Sequence, residues 1–143
     1  TAGGSDLRIR ETQYDRDNEQ RIITYACLQW DCEAYKLPMN YCLDYALTRD
    51  KKIQAFAEIK KRNAKSTDYK TLMMPLRKLV TAGRYWPYGI KTFLIIEWTD
   101  WLGYIEMKEP ETIEIGGTYK RNDPDDIEPM CHFKIGNFKE LLK

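Results

Sequence analysis

Asp44, Glu58 and Lys60 combine the side chains that metal-assisted chemistry at a phosphodiester uses. Side chains alternate between the two faces of a strand, so Glu58 and Lys60 would point the same way on one. Two carboxylates brought close together repel, which should raise the pKa of at least one of them unless a divalent cation binds. Mg²⁺ accepts one or two carboxylates and keeps several waters, and a neighbouring lysine can stabilise charge that develops on a phosphate. The three residues therefore indicate a site for Mg²⁺-dependent hydrolysis of phosphodiester bonds.

Whether Asp44 meets Glu58 depends on the register of a predicted hairpin. Its two strands are predicted at residues 41–47 and 53–60, with a polar turn between them. A three-residue loop, 50–52, would set Asp44 directly opposite Glu58 on one face. A two-residue loop would instead turn the two acids to opposite faces of the sheet. A metal site here therefore requires a loop of odd length or a β-bulge.

The Glu-x-Lys spacing alone carries little information, because a chain this rich in both residues contains about one such match by chance. A second match runs from Glu106 to Lys108. It stands at a predicted strand end and lacks an acid on a paired preceding strand. For the first match two interpretations stay open, namely a metal site and an ordinary salt-bridge cluster on the surface of a two-stranded ribbon.

The segment before the hairpin predicts a helix over residues 15–30. Asp15 and Asp17 are candidate N-caps of this helix. Glu19 lies on the edge of its apolar face, where a carboxylate needs a partner or a cation. Glu19 is therefore a candidate outer metal ligand or orienting base if this helix packs against the sheet face of Asp44 and Glu58. The apolar face itself is predicted from residues that recur at helical spacing, which are Ile22, Ile23, Ala26, Cys27 and Trp30.

The remainder of the chain predicts a second helix and a series of strands. The helix is predicted over residues 71–84, with Pro75 in its first turn and an apolar face made of Leu72, Leu76, Leu79 and Val80. Further elements are predicted as strands at 92–98, 102–107, 112–115 and 130–135 and as a short terminal helix at 138–142. This order predicts an α/β fold with a mixed central sheet flanked by helices. Residues 1–5 are interpreted as a tag or flexible leader, and residues 6–143 as a single domain.

Positive charge is concentrated in the middle of the chain. Residues 49–91 contain twelve Lys and Arg against three Asp and Glu, whereas the rest contains eleven against nineteen. A basic middle suits a phosphate-binding surface and equally a solvated, lysine-rich face. Arg77 and Lys78 suit a solvated helix face. The candidate nucleic-acid contacts are the other basic residues that follow the site, namely Lys61, Arg62, Lys65 and Lys70.

Other kinds of site find little support in the sequence. The four cysteines show no Cys-x-x-Cys spacing and only one histidine, His132, is present. We therefore expect buried, reduced thiols rather than a structural zinc site, and a structural role for His132. No apolar run reaches the roughly 20 residues of a membrane-spanning helix, and no signal-peptide pattern is present. The expectation is a cytoplasmic protein that does not bind membranes.

The residues around the candidate site resemble a known signature. Leu43-Asp44-Tyr45, together with the stretch from Phe56 to Asn63, resembles that of the PD-(D/E)XK nuclease superfamily. Residues 69–79 and 93–100 resemble small members of it encoded by bacteriophages, for which the location would be the host cytoplasm. The resemblance covers roughly residues 15–104. It implies a restriction-endonuclease-like αβββαβ core, dependence on Mg²⁺ or Mn²⁺, and DNA as the usual substrate, in recombination, repair, replication or genome processing. Many such proteins act as homodimers.

The resemblance also assigns roles to individual residues. Asp44 matches the first acid of the signature, Glu58 the second, and Lys60 its lysine, while Glu19 matches the acid that many members carry on their first helix. The implied metal ligands are Asp44, Glu58, Glu19 and the backbone carbonyl of Ile59. One departure is Leu43, which stands where the signature has a proline. The alternative function is a catalytically inactive nuclease-like module that binds nucleic acid or a protein partner.

Overall fold

The computed structural model describes residues 12–117 and 127–141, so the proposed leader at residues 1–5 lies outside the described part of the chain. Within these ranges, three short 3₁₀ turns connect the main elements, at Met39–Tyr41, Trp86–Tyr88 and Ile135–Asn137. The main elements in chain order are α1 (Gln13–Trp30), β1 (Glu33–Lys36), β2 (Tyr45–Arg49), β3 (Lys52–Lys61), β4 (Thr71–Pro75), α2 (Leu76–Gly83), β5 (Lys91–Glu97), β6 (Leu102–Glu106), β7 (Thr112–Gly117), β8 (Ile127–Lys134) and β9 (Lys139–Glu140).

The larger of two sheets is a six-stranded mixed sheet with the strand order β1-β2-β3-β5-β6-β9. Strands β1, β2 and β3 form an antiparallel meander, and β5 then pairs with β3 in parallel after the chain has crossed through α2. The series α1-β1-β2-β3-α2-β5 is the αβββαβ core, which confirms the predicted fold class. A second sheet of three strands, in the order β4-β8-β7, was not predicted.

The two α-helices of the described residues, α1 and α2, lie on opposite faces of the six-stranded sheet. Ile22, Ile23 and Ala26 of α1 are buried against Ala57 and Ile59 of β3. On the other face, Leu79 and Ala82 of α2 pack against Leu94 and Ile96 of β5. Since side chains alternate along β3, the face opposite to α1 is the one that receives Phe56, Glu58 and Lys60.

Helix α1 begins at Gln13, because its N-cap is Thr12. The Thr12 hydroxyl accepts a hydrogen bond from the backbone N–H of Asp15 (3.0 Å), and the Asp15 carboxylate accepts one from the backbone N–H of Thr12 (3.4 Å). This reciprocal capping box satisfies two backbone donors of the first turn. The prediction of Asp15 or Asp17 as the N-cap is therefore wrong.

The predicted helix over residues 71–84 is divided between two elements. Residues Thr71–Pro75 form β4, which pairs with β8, and α2 starts only at Leu76. Proline disfavours helical geometry in the residue before it, so the chain stays extended through Met74. Val80 was assigned to the apolar face, but it is 51% exposed. That assignment is wrong.

The predicted terminal helix is also absent from the described part of the segment, where residues 135–137 form a 3₁₀ turn and Lys139–Glu140 form β9. Phe138 and Leu141 are both buried, and the two residues between them are exposed. The short β9 pairs with β6 at the edge of the six-stranded sheet.

The cysteines and His132 lie mostly at partly buried positions, and among the four cysteines only Cys131 is fully buried. All four cysteines are free thiols. His132 lies on β8, and its Nδ1 is 2.9 Å from the hydroxyl of Thr71 on β4, which links two strands of the small sheet. Among the described residues, no helix is long and apolar enough to cross a membrane.

Candidate active site

The hairpin between β2 and β3 turns on two residues and contains a β-bulge. Asp50 and Lys51 form the turn, both with positive φ (51° and 65°), and Arg49 pairs with Lys52. The register then shifts between Leu47 and Thr48, so that one additional residue of β3 enters the pairing. A two-residue turn alone would have separated the two acids, and the bulge restores the register that the site needs.

Asp44 lies directly before β2, because this strand begins at Tyr45 and not at residue 41 as predicted. Tyr45 pairs with Ala57, so the register continued by one residue brings Asp44 beside Glu58. The Asp44 Oδ2 accepts a hydrogen bond of 2.8 Å from the backbone N–H of Ile59. This bond holds the carboxylate against β3, next to Glu58.

Glu58 is the most buried carboxylate of the site, at 4% exposure. Its Oε2 lies 3.0 Å from the ammonium nitrogen of Lys78, whereas its Oε1 has no hydrogen-bond partner among the described residues. Burial, and next the charge of Asp44, raise the pKa of Glu58 to about 7, against the opposing effects of Lys78 and Lys60. The predicted rise in the pKa of one acid is confirmed, although burial contributes more to it than repulsion does.

Lys60 shares the sheet face of Glu58 and is partly buried. Burial, followed by the charge of Arg62, lowers the pKa of the Lys60 ammonium group. Within the described ranges, this ammonium group has no hydrogen bond or ion pair. Lys60 therefore has a positive charge beside Glu58 and Asp44 that no described hydrogen bond or ion pair engages.

Lys36, at the end of β1, joins Glu19 to Asp44. Its ammonium nitrogen lies 2.8 Å from Glu19 Oε1 and 3.8 Å from Asp44 Oδ1. Lys36, which the sequence analysis did not include, thus links the acid on α1 to Asp44. The expected packing of α1 against the face of Glu58 is wrong, since α1 covers the opposite face of the sheet. The role of Glu19 as a metal ligand stays a prediction. A cationic group lies between two of the candidate metal ligands.

A polar cavity of about 700 Å³ opens beside Lys60. Glu19 and other residues of α1 form one wall, and the end of β3 with the residues after it, including Lys61 and Arg62, forms the other. Burial lowers the pKa of the Arg62 guanidinium group, which has no carboxylate partner among the described residues. Two of the four predicted nucleic-acid contacts, Lys65 and Lys70, do not line this cavity.

The donor set fits a hard divalent cation. No group of three His, Cys, Asp or Glu side chains is arranged to hold a metal within residues 12–117 and 127–141. Mg²⁺ does not require such a group, because one or two carboxylates plus waters satisfy its octahedral shell. Asp44 and Glu58 supply two carboxylates, and Glu58 Oε1 is a buried acceptor without a hydrogen-bond partner in the described part of the chain. Their oxygens would suit Mg²⁺ or Mn²⁺ better than a soft metal.

Lys78 is the main site residue that the sequence analysis missed. Its side chain is only 20% exposed, so the predicted solvated position is wrong for Lys78, whereas Arg77 is 67% exposed as expected. A signal was available, since Ala82 stands four residues after Lys78 on the same helix face, but the predicted apolar face did not include Ala82. Lys36 lay in a short exposed strand and carried no comparable signal.

The raised pKa of Glu58 predicts how stability depends on pH in the absence of metal. The folded state holds this proton more tightly than the unfolded chain, so the stabilisation is complete below pH 4.5 and is lost as the pH rises through about 7. Over that range, the free energy of unfolding in EDTA should fall by on the order of 3 kcal/mol more for the wild type than for Glu58→Gln. Chemical denaturation at several pH values measures this difference.

Glu106→Gln is the matched control for that experiment, because Glu106 is the acid of the second Glu-x-Lys match. It lies at the end of β6, 3.7 Å from the ammonium group of Lys108. The Glu106→Gln variant should follow the pH dependence of the wild type. Parallel curves for Glu58→Gln and the wild type would show that the pKa of Glu58 is not raised.

Comparisons with known proteins agree on one fold. A family model described as "Phage putative PDDEXK endonuclease" matches residues 8–141. The solved structure of Hjc, a Holliday junction resolvase from the archaeal hyperthermophile Archaeoglobus fulgidus, superimposes with a TM-score of 0.52 at 10% sequence identity. That match covers 90% of this chain and 88% of Hjc. The search of curated proteins finds no match.

Proposed function

The chain belongs to the family of phage PDDEXK endonucleases, and from this membership we propose that it is a divalent-metal-dependent nuclease that hydrolyses phosphodiester bonds in DNA. The observation that carries the proposal is the meeting of Asp44, Glu58 and Lys60 at the bulged hairpin, with one carboxylate oxygen and one ammonium group left without partners among the described residues. We propose residues 6–143 as a single nuclease domain.

The proposed metal ligands are Asp44, Glu58 and the backbone carbonyl of Ile59, with Glu19 as an outer ligand. Asp44 is held for this role by the N–H of Ile59, and Glu58 by the ammonium group of Lys78. A bound Mg²⁺ or Mn²⁺ would polarise a phosphoryl oxygen and lower the pKa of a coordinated water. The protein contributes the orientation of the oxygen donors and the partial exclusion of solvent around them.

Lys60 is the proposed catalytic lysine. Its ammonium group can donate hydrogen bonds to the attacking water or to a phosphate oxygen, because no described carboxylate binds it. Burial strengthens such an interaction by lowering the local dielectric. The positive charge of Lys60 is therefore available where negative charge develops during cleavage.

The polar cavity beside Lys60 is the proposed path of the DNA backbone. Arg62 is partly buried and has no described carboxylate partner, which suits a contact with phosphate. Lys61 lies 3.9 Å from Glu97, so a phosphate would have to compete with that carboxylate. Lys65 and Lys70 are exposed outside the cavity, and we propose them only as peripheral contacts.

A cleavage assay tests the proposed function. We expect the wild type to cleave DNA with Mg²⁺ or Mn²⁺ and to be inactive in EDTA, and we expect Glu58→Gln to be inactive under all conditions. Supercoiled plasmid, linear duplex and a four-way junction should be compared, since Hjc, which shares the fold, is a Holliday junction resolvase. Salt-dependent binding of DNA without cleavage of any substrate would support the inactive binding module instead.

A further inference from the structure

The closest described contact of Glu58 is with a lysine outside the Glu-x-Lys signature. The ammonium nitrogen of Lys78 lies 3.0 Å from Glu58 Oε2, and the two side chains are 20% and 5% exposed. Lys60, although it follows Glu58 on the same face of β3, forms no ion pair among the described residues. Of the two lysines, therefore, Lys78 forms an ion pair with Glu58 and Lys60 does not.

The ion pair with Lys78 involves only one of the two carboxylate oxygens of Glu58. Oε2 is held by Lys78, while Oε1 has no partner in the described part of the chain. A carboxylate held at one oxygen keeps its plane and leaves the other oxygen in a defined position. Without Lys78, Lys60 would be the remaining lysine whose charge acts on Glu58.

Stability alone gives a weak reason for a lysine at this position. Burying an ionic group at a helix–sheet interface costs desolvation energy, and an apolar side chain of similar volume often stabilises a protein equally or better. The neighbouring Leu79 and Ala82 show that this face of α2 otherwise packs with apolar side chains. Stability alone therefore does not account for a charged side chain at this position.

We propose that Lys78 is a positioning residue of the active site, which holds Glu58 Oε2 so that Oε1 is directed to a divalent cation and Lys60 stays free for the substrate. The inference rests on the proposed nuclease function. Lys78 acts through Glu58, and no contact of its own with the substrate is required.

Substitutions that separate charge from volume test this role. Lys78→Met keeps the aliphatic volume without the charge, and Lys78→Arg keeps the charge. Arg77→Met is the matched control, since Arg77 is the adjacent residue of α2 and pairs with Glu128 at 3.2 Å. Each protein is measured by calorimetric titration with Mn²⁺ alone and by single-turnover cleavage at saturating Mn²⁺, and its fold is checked by thermal melting.

We expect Lys78→Met to weaken Mn²⁺ binding and to slow cleavage, each by roughly tenfold to a hundredfold, as is usual when a partner of a metal ligand is lost. Lys78→Arg should restore most of both properties, and Arg77→Met should match the wild type. If Lys78→Met does not fold, Lys78→Leu, which likewise removes both the charge and the donor to Oε2, takes its place in the comparison.

The outcomes also distinguish this inference from the proposed function. A folded Lys78→Met variant that binds Mn²⁺ as tightly as the wild type or more tightly, and that cleaves at the wild-type rate, would show that Lys78 only packs α2 against the sheet. Failure of Lys78→Arg to restore activity lost in Lys78→Met would likewise contradict positioning by charge. If the wild type itself neither binds Mn²⁺ nor cleaves, both the proposed function and this inference are wrong.

Discussion

Replacing Lys60 by Ala should slow DNA cleavage at saturating Mg²⁺ by roughly a hundredfold to a thousandfold, the usual cost of losing one donor to a developing negative charge. The fold should remain intact. The Lys60 ammonium group is partly buried without an ion pair among the described residues, so its removal breaks no described salt bridge and relieves a desolvation cost. Single-turnover cleavage and thermal melting of the same preparation measure the two effects.

The second Glu-x-Lys match provides the control. Lys108 follows Glu106 with the spacing of the candidate site, but its side chain is 56% exposed. Lys108→Ala should therefore cleave at the wild-type rate. A Lys60→Ala variant that also cleaves at that rate, or that melts far below the wild type, would mean that Lys60 serves the fold rather than the chemistry.

The order of elements in the core could be predicted because it depends on local patterns. The helical spacing of Ile22, Ile23 and Ala26 and the alternation along β3 identify the faces that pack together. The register of the hairpin was harder to predict. Neither Asp50 nor Lys51 is glycine, although both have positive φ, so nothing in the sequence marked a two-residue turn.

Contacts between distant segments could not be predicted from the same patterns. Lys78 meets Glu58 only because α2 packs on the face of the sheet opposite to α1, and Lys36 meets Glu19 only because β1 lies at the edge of that sheet. The sequence predicted the acids and the signature lysine. The partners that orient the acids depend on tertiary packing.

Metal binding should stabilise the protein through the same residues. A cation that binds the folded site and not the unfolded chain adds about 2.7 kcal/mol to the free energy of unfolding at a hundred times its dissociation constant. In Asp44→Asn this gain should almost disappear, because one of the two carboxylate ligands is lost. Thermal melting at pH 6 and pH 8, with EDTA and with Mn²⁺, measures the effect.

Without metal, Asp44→Asn should be at least as stable as the wild type. The amide oxygen of Asn can still accept the hydrogen bond that Asp44 Oδ2 takes from the N–H of Ile59. The loss of a negative charge removes one cause of the raised pKa of Glu58. Since a raised pKa of an acid costs stability as the pH climbs through it, the gain of Asp44→Asn over the wild type should be larger at pH 8 than at pH 6.

Asp50→Asn makes the same chemical change outside the site and separates ligand loss from a general effect of charge. Asp50 is an exposed turn residue with a φ of 51°, a conformation that Asn tolerates well. This variant should keep the full stabilisation by Mn²⁺. If Asp44→Asn also keeps it, the cation binds elsewhere on the protein, and the bulged hairpin is not a metal site. If the stabilisation by Mn²⁺ is lost in Asp44→Asn and retained in Asp50→Asn, the cation binds where β2 begins, beside Glu58.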